Sequence, residues 1–145
     1  MKTIKILFAL LPLFLIFPSC SSDDDEPAEN NSVVISQLLG KWQMDAASIN
    51  GGNFIPIPDD EDIIYEFKMG GIITVTYDFS DDDVDDVYTG TYTLNNNIVT
   101  IIIDGETVPH TITQISTTAM RLAARFNWDE GSGLEDVVMS FTKIP

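Results

Sequence analysis

Leu39-Gly40-Lys41-Trp42-Gln43-Met44-Asp45-Ala46-Ala47-Ser48 is where the chain changes its hydrophobic period. Upstream, Val34, Ile35, Leu38 and Leu39 recur at helical spacing. Ser32 can cap that segment and Gly40 can end it, so one short helix is expected over 32–39. Downstream, Trp42, Met44, Ala46 and Ser48 alternate with Gln43, Asp45 and Ala47, the pattern of a strand with one buried face. Gly40 stands at the junction, where a residue without Cβ lets the chain turn sharply.

The period of two then runs to the C-terminus. Asn50-Gly51-Gly52-Asn53 is a turn signal, followed by the Pro-interrupted loop Phe54 to Pro58 and acidic Asp59 to Asp62. Ile63, Tyr65 and Phe67 form the next apolar face, and Gly70-Gly71 turns the chain into Ile73, Val75, Tyr77 and Phe79. After the acidic run Asp81 to Asp86 come Tyr88, Gly90, Tyr92 and Leu94 on one face, then the Asn95-Asn96-Asn97 turn. Ile98 to Ile103 is apolar on both faces, and Asp104-Gly105 is a strong hairpin signal. Thr107 to Ile115 follows, where Pro109 predicts that the start of the strand is an edge or a bulge. Met120, Leu122, Ala124 and Phe126, then Val137, Met139 and Phe141, mark the last two apolar faces. About eight strands joined mostly by tight turns predict an all-β, up-and-down antiparallel barrel preceded by one short helix. Closure removes the exposed edges that an open meander would present.

Leu39-Gly40-Lys41-Trp42 resembles the Gly-x-Trp opening of lipocalins, and more closely the short lipocalin-like domains of Bacteroidetes lipoproteins. Asn50-Gly51, Phe67 with Gly70-Gly71, Gly90-Thr91-Tyr92 and Phe141 follow in the order of that family's pattern, so the resemblance covers about residues 35 to 145. It implies that Gly40 and Trp42 are the barrel-closing motif, with Trp42 at the floor. It also implies a late basic side chain stacked on the tryptophan, with Lys143 the candidate by position and Arg125 the alternative.

The N-terminus carries a separate message. Lys2 and Lys5 precede Ile6 to Phe17, an apolar run shorter than the ~20 residues a bilayer span needs. A basic head, a short apolar run and a small residue before a cut site describe a secretory signal over 1–19. Ser19-Cys20 resembles the cleavage site of bacterial lipoproteins, in which the cysteine receives a diacylglyceryl group and becomes the new N-terminus. Cys20 is the only cysteine, so no internal disulfide is possible, and lipidation accounts for the lone thiol. One acyl chain holds a protein only marginally; the three that the resemblance implies make a lasting membrane anchor. Ser22-Asp23-Asp24-Asp25 resembles the acidic tag of lipoproteins exported to the outer face of the outer membrane. It equally has the composition of a disordered, solvated tether over 20–31. The domain itself is expected over 32–145, a length that suits one unit.

Without Lys2 and Lys5, five basic side chains remain against 23 acidic ones, a balance of −18. Such a surface repels nucleic acid and anionic headgroups, so no nucleic-acid partner is expected. No cofactor motif is present. His110 is the only histidine, with no nucleophile elbow or zinc spacing around it, and is expected as a polar residue on a strand face. The carboxylates lie in runs rather than at spaced positions across a cleft, which excludes an argued glycosidase pair. Asp81, Asp83 and Asp85 are weak calcium candidates, although their run lacks the order of an EF-hand loop.

The expected role is non-catalytic binding of a small apolar or amphipathic molecule by a monomeric barrel, anchored in the outer membrane at the cell surface. The alternative is a protein- or glycan-binding module that uses outer loops. Tyr65, Phe67, Tyr77, Phe79, Tyr92, Phe126, Met139 and Phe141 are bulky enough to predict a filled or nearly filled interior.

Overall fold

The computed structural model describes residues 28–58, 60–79, 85–127 and 133–145. Helix α1 (Ala28–Leu38) leads into β1 (Gly40–Ile49), β2 (Ile55–Pro56), β3 (Glu61–Lys68), β4 (Ile72–Phe79) and β5 (Asp86–Asn95). Then come β6 (Ile98–Ile103), β7 (Glu106–Ile115), β8 (Ala119–Phe126) and β9 (Glu135–Ile144). From β3 onward each strand pairs antiparallel with the next, and β1 pairs with both β3 and β9, so the sheet closes. The eight long strands form an up-and-down barrel, as the alternation predicts. Two-residue β2 is an addition: it lies on β1 at Ala46 and Ala47, beyond the Gly40–Gln43 stretch that pairs with β3.

The tight turns follow from residues that tolerate left-handed backbone. Asp104 (φ 52°) and Gly105 (φ 84°) make the two-residue β6–β7 hairpin, where positive φ at both positions matches the twist of the flanking strands. No helix among the described residues is long and apolar enough to cross a membrane.

Two boundaries differ from the sequence pattern. Helix α1 begins at Ala28, four residues before Ser32, because Glu29, Asn30 and Asn31 extend it by about one turn without apolar residues to mark it. In β1 the inward face is Trp42, Met44 and then Ala47, not Ala46. Met44 lies opposite Phe141 while Ala46 lies opposite Ser140, so Asp45 is the extra residue of a β-bulge. A one-residue insertion reverses which side chains face the core from that point on. Ser48 is buried after the bulge and its hydroxyl donates to the Gly52 carbonyl at 2.7 Å.

Pro109 sits where β7 is an edge. β7 pairs with β6 from Glu106 to Thr111, but its ladder with β8 begins only at His110 opposite Ala124. The ladder of β5 with β6 likewise begins at Thr91 opposite Ile102, leaving Asp86 to Gly90 paired with β4 alone. Both gaps lie at the end of the barrel away from α1.

Candidate functional site

The end of the barrel under α1 is packed solid. Leu38, Trp42, Phe67, Ile73, Met120 and Phe141 are fully buried there. The Phe67 and Tyr92 rings meet edge to face at 5.1 Å, and the Tyr65 and Phe141 rings lie 5.1 Å apart. Trp42 Nε1 donates to the Leu38 carbonyl at 2.7 Å, tying the first strand to the last turn of α1. Lys143 Nζ lies 4.9 Å from the Trp42 ring centroid and donates to the Gln37 carbonyl at 3.0 Å. Of the two basic side chains weighed for this stacking, Lys143 is the one on the ring; Arg125 pairs with Asp136. Gly40 has φ 116°, and a Cβ there would stand 2.9 Å from Lys143 Cε, so the glycine serves both the turn and the lysine's approach.

The opposite end is hollow. A cavity of about 650 Å³ opens there, bounded by Tyr65, Val75, Tyr77 and Tyr88 on one side and Ile101, Ile103, Val108, His110 and Phe126 on the other. Asp86, Asp104 and Glu106 stand around its mouth. The expectation of a filled interior is therefore overturned for this half. One inward position supplies little bulk: Ala124, opposite His110. Gly90 instead admits a close approach of β6, since a Cβ there would lie 2.1 Å from the Ile102 carbonyl oxygen. The gaps in the β5–β6 and β7–β8 ladders widen the same end.

His110 is a polar residue on the inward face of β7, 4% exposed, and lines this cavity. Its Nδ1 lies 2.9 Å from the Val108 carbonyl oxygen. A carbonyl only accepts, so Nδ1 carries the hydrogen, and the neutral ring presents Nε2 as an acceptor. Burial holds the imidazole pKa below its ordinary value, opposed in part by the Val108 bond. Tyr65 and Tyr77 share a side-chain hydrogen bond, and burial raises the pKa of both phenols. The Tyr77 and Tyr88 rings meet edge to face at 5.9 Å. The cavity thus has an aromatic wall, a neutral buried imidazole and an acidic rim. No Ser, Thr or Cys lines it beside His110 among the described residues.

Several predicted positions fall elsewhere. Cys20, Ser22, Asp23, Asp24, Asp25, Asp81 and Asp83 lie outside the described residues. Asp85 is exposed, and no three His, Cys, Asp or Glu side chains form a metal-binding group among the described residues. The site residues that the sequence reading missed are Asp86, Asp104, Glu106 and His110. For His110 a signal existed, because Val108, His110 and Ile112 share one parity along β7.

Comparison with known proteins agrees with this architecture. A lipocalin-like protein from Bacteroides uniformis is 18% identical over 74% of this chain and 99% of its own, with a TM-score of 0.57. An uncharacterized protein from Bacteroides eggerthii is 16% identical over 74% and 99% of the two chains, with a TM-score of 0.55. The bovine lipocalin allergen Bos d 2 is 12% identical over 76% and 75%, with a TM-score of 0.50. No curated protein matches the chain in sequence. The family model of the lipocalin-like domain matches residues 38–122, more than half of the sequence, from the last residue of α1 through the barrel to Leu122 of β8. With its closed barrel and its Gly40-x-Trp42 entrance, the chain belongs to the lipocalin-like domain family.

Proposed function

We propose that this chain is a lipid-anchored protein of the outer membrane, displayed at the cell surface, whose barrel binds one small apolar or amphipathic molecule through its open end. The observation that carries the binding role is the cavity of about 650 Å³. Small-molecule sites are typically ~300–1,000 Å³, mostly apolar, with a few placed polar groups. This one has aromatic and aliphatic walls and one buried histidine. Its aromatic wall, with no Ser, Thr or Cys lining it among the described residues, favours binding over catalysis. The anchor rests on the sequence alone, on Ser19-Cys20 and the Asp23-Asp24-Asp25 tag.

Native mass spectrometry of the mature protein, taken from its own envelope in polymer-bounded lipid discs without detergent, tests the binding role. One small molecule of defined mass per chain is expected. A bare chain would move the role to the outer loops, where Phe54, Ile55 and Leu134 are exposed. Metabolic labelling with a fatty-acid analogue tests the anchor: Cys20→Ser should abolish label and processing, and equal labelling of both forms would sink it. Replacing Asp23, Asp24 and Asp25 with Ala should keep the label but protect the protein from protease added to intact cells.

A further inference from the structure

We infer that the molecule taken by this cavity is a cation: an amine with an apolar body, its ammonium at the acidic mouth and its hydrocarbon against the tyrosines. The inference deepens the binding role proposed above and rests on it. Three independent features converge. First, the charged side chains that line the cavity are Asp86, Asp104 and Glu106, and none of them forms an ion pair with a basic group among the described residues. The described basic side chains are engaged or placed elsewhere. Lys143 stacks on Trp42, Lys68 pairs with Glu66, Arg121 lies over Phe54, Arg125 pairs with Asp136, and Lys41 is exposed on β1 near α1.

Second, His110 is buried, and its Nε2 has no partner among the described residues. With Nδ1 committed to Val108, the neutral ring offers the cavity an acceptor, which an N–H donor of the ligand satisfies. An unpaired buried acceptor is otherwise costly. Third, Tyr77 and Tyr88 line the cavity beside the acidic rim, Tyr77 standing opposite Asp86 in the β4–β5 ladder, and aromatic rings attract cations. A carboxylate or phosphate ligand would meet three like charges at the entrance and no cationic group within.

The test uses the mature lipoprotein in zwitterionic nanodiscs, with empty nanodiscs as blank. Three probes share one apolar body: 2-(1-naphthyl)ethylamine, 2-(1-naphthyl)ethanol and 1-naphthylacetate. Titration calorimetry should give the amine a Kd at least tenfold below that of the alcohol, with the acetate weakest. Raising the salt should narrow the gap between amine and alcohol, because rim charges are screened. The double variant Asp104→Asn, Glu106→Gln should reduce the amine's advantage over the alcohol to under threefold, with an unchanged far-UV circular dichroism spectrum reporting that the barrel is folded. Asparagine tolerates the left-handed backbone at position 104. If the alcohol binds as tightly as the amine, the cavity stands and the charge preference falls. If all three probes match the blank, the binding role falls with it. An amine preference that survives in the double variant would overturn the assignment to this rim.

Discussion

Under α1, the inward positions of β1, β3, β4, β8 and β9 hold Trp42, Phe67, Ile73, Met120 and Phe141, none with more than 1% of its surface exposed. At the far end the same barrel holds Tyr77, Tyr88, Val108 and His110 around open space. The strands are continuous, so neither hydrophobic pattern nor strand count distinguishes the two halves. What distinguishes them is the completeness of the ladders and the size of the inward residues. Where every strand has two partners and the side chains are large, the interior behaves as a core. Where β5 leaves β6 and β7 leaves β8, and Ala124 stands opposite His110, the interior becomes a vessel. Stability should therefore be concentrated at one end and recognition at the other.

The contrast is sharpest for Trp42→Ala, which should lose ~3–5 kcal/mol, the usual cost of truncating a large buried aromatic. That is a large share of the ~5–15 kcal/mol a domain has. Urea unfolding gives the number, and a loss as small as that of Tyr88→Ala would break the contrast. Lys143→Met keeps the apolar stem but removes the ring contact and the bond to Gln37, for an expected loss of about 1–2 kcal/mol. A midpoint that does not move would mean that the lysine merely covers the tryptophan. Tyr88→Ala, at the mouth and 39% exposed, should lose less than about 1 kcal/mol while weakening ligand uptake. A larger loss of stability would place part of the core at the open end.

The smallest effect is a slope. Burial holds the His110 pKa below the ~6.5 of the unfolded chain, so between those two values the unfolded state binds more protons. The stability of a neutral His110 is therefore complete above ~6.5 and is lost as pH falls from there toward the folded-state pKa. Urea midpoints of wild type and His110→Gln, compared from pH 8 to 5.5, should diverge in slope only in the lower part of that range. Parallel curves would show that the ring takes up a proton freely in the folded state.

Much of the fold was legible because it is written in local signals. The period of two, the Asn-Gly and Asp-Gly turns, and the helix-to-strand switch at Gly40 are each contained within a few residues. Lys143 on Trp42 was one of two candidates, with Arg125, that the family resemblance offered by position. The Asp45 bulge was not, because it exists only in the pairing of β1 with β9. The cavity was not legible either. The bulky residues were counted over the whole barrel, while Phe67, Tyr92 and Phe141 crowd together and Tyr77, Tyr88 and Phe126 stand around open space. The acidic rim is assembled from Asp104 and Glu106 at the β6–β7 hairpin and Asp86 at the start of β5, and only the pairing of the strands brings these two places together.

The position of α1 has a consequence for orientation. In the lipid-anchored form proposed above, Ala28 is only eight residues on from Cys20, a reach of at most ~28 Å. The helix lies across the sealed pole of the barrel, so in that form the tether joins the barrel at this pole and the entrance lies at the opposite end of the strands. With the sealed pole toward the lipid, a solute from the medium would meet the entrance directly, whereas one leaving the membrane would first travel up the outside wall.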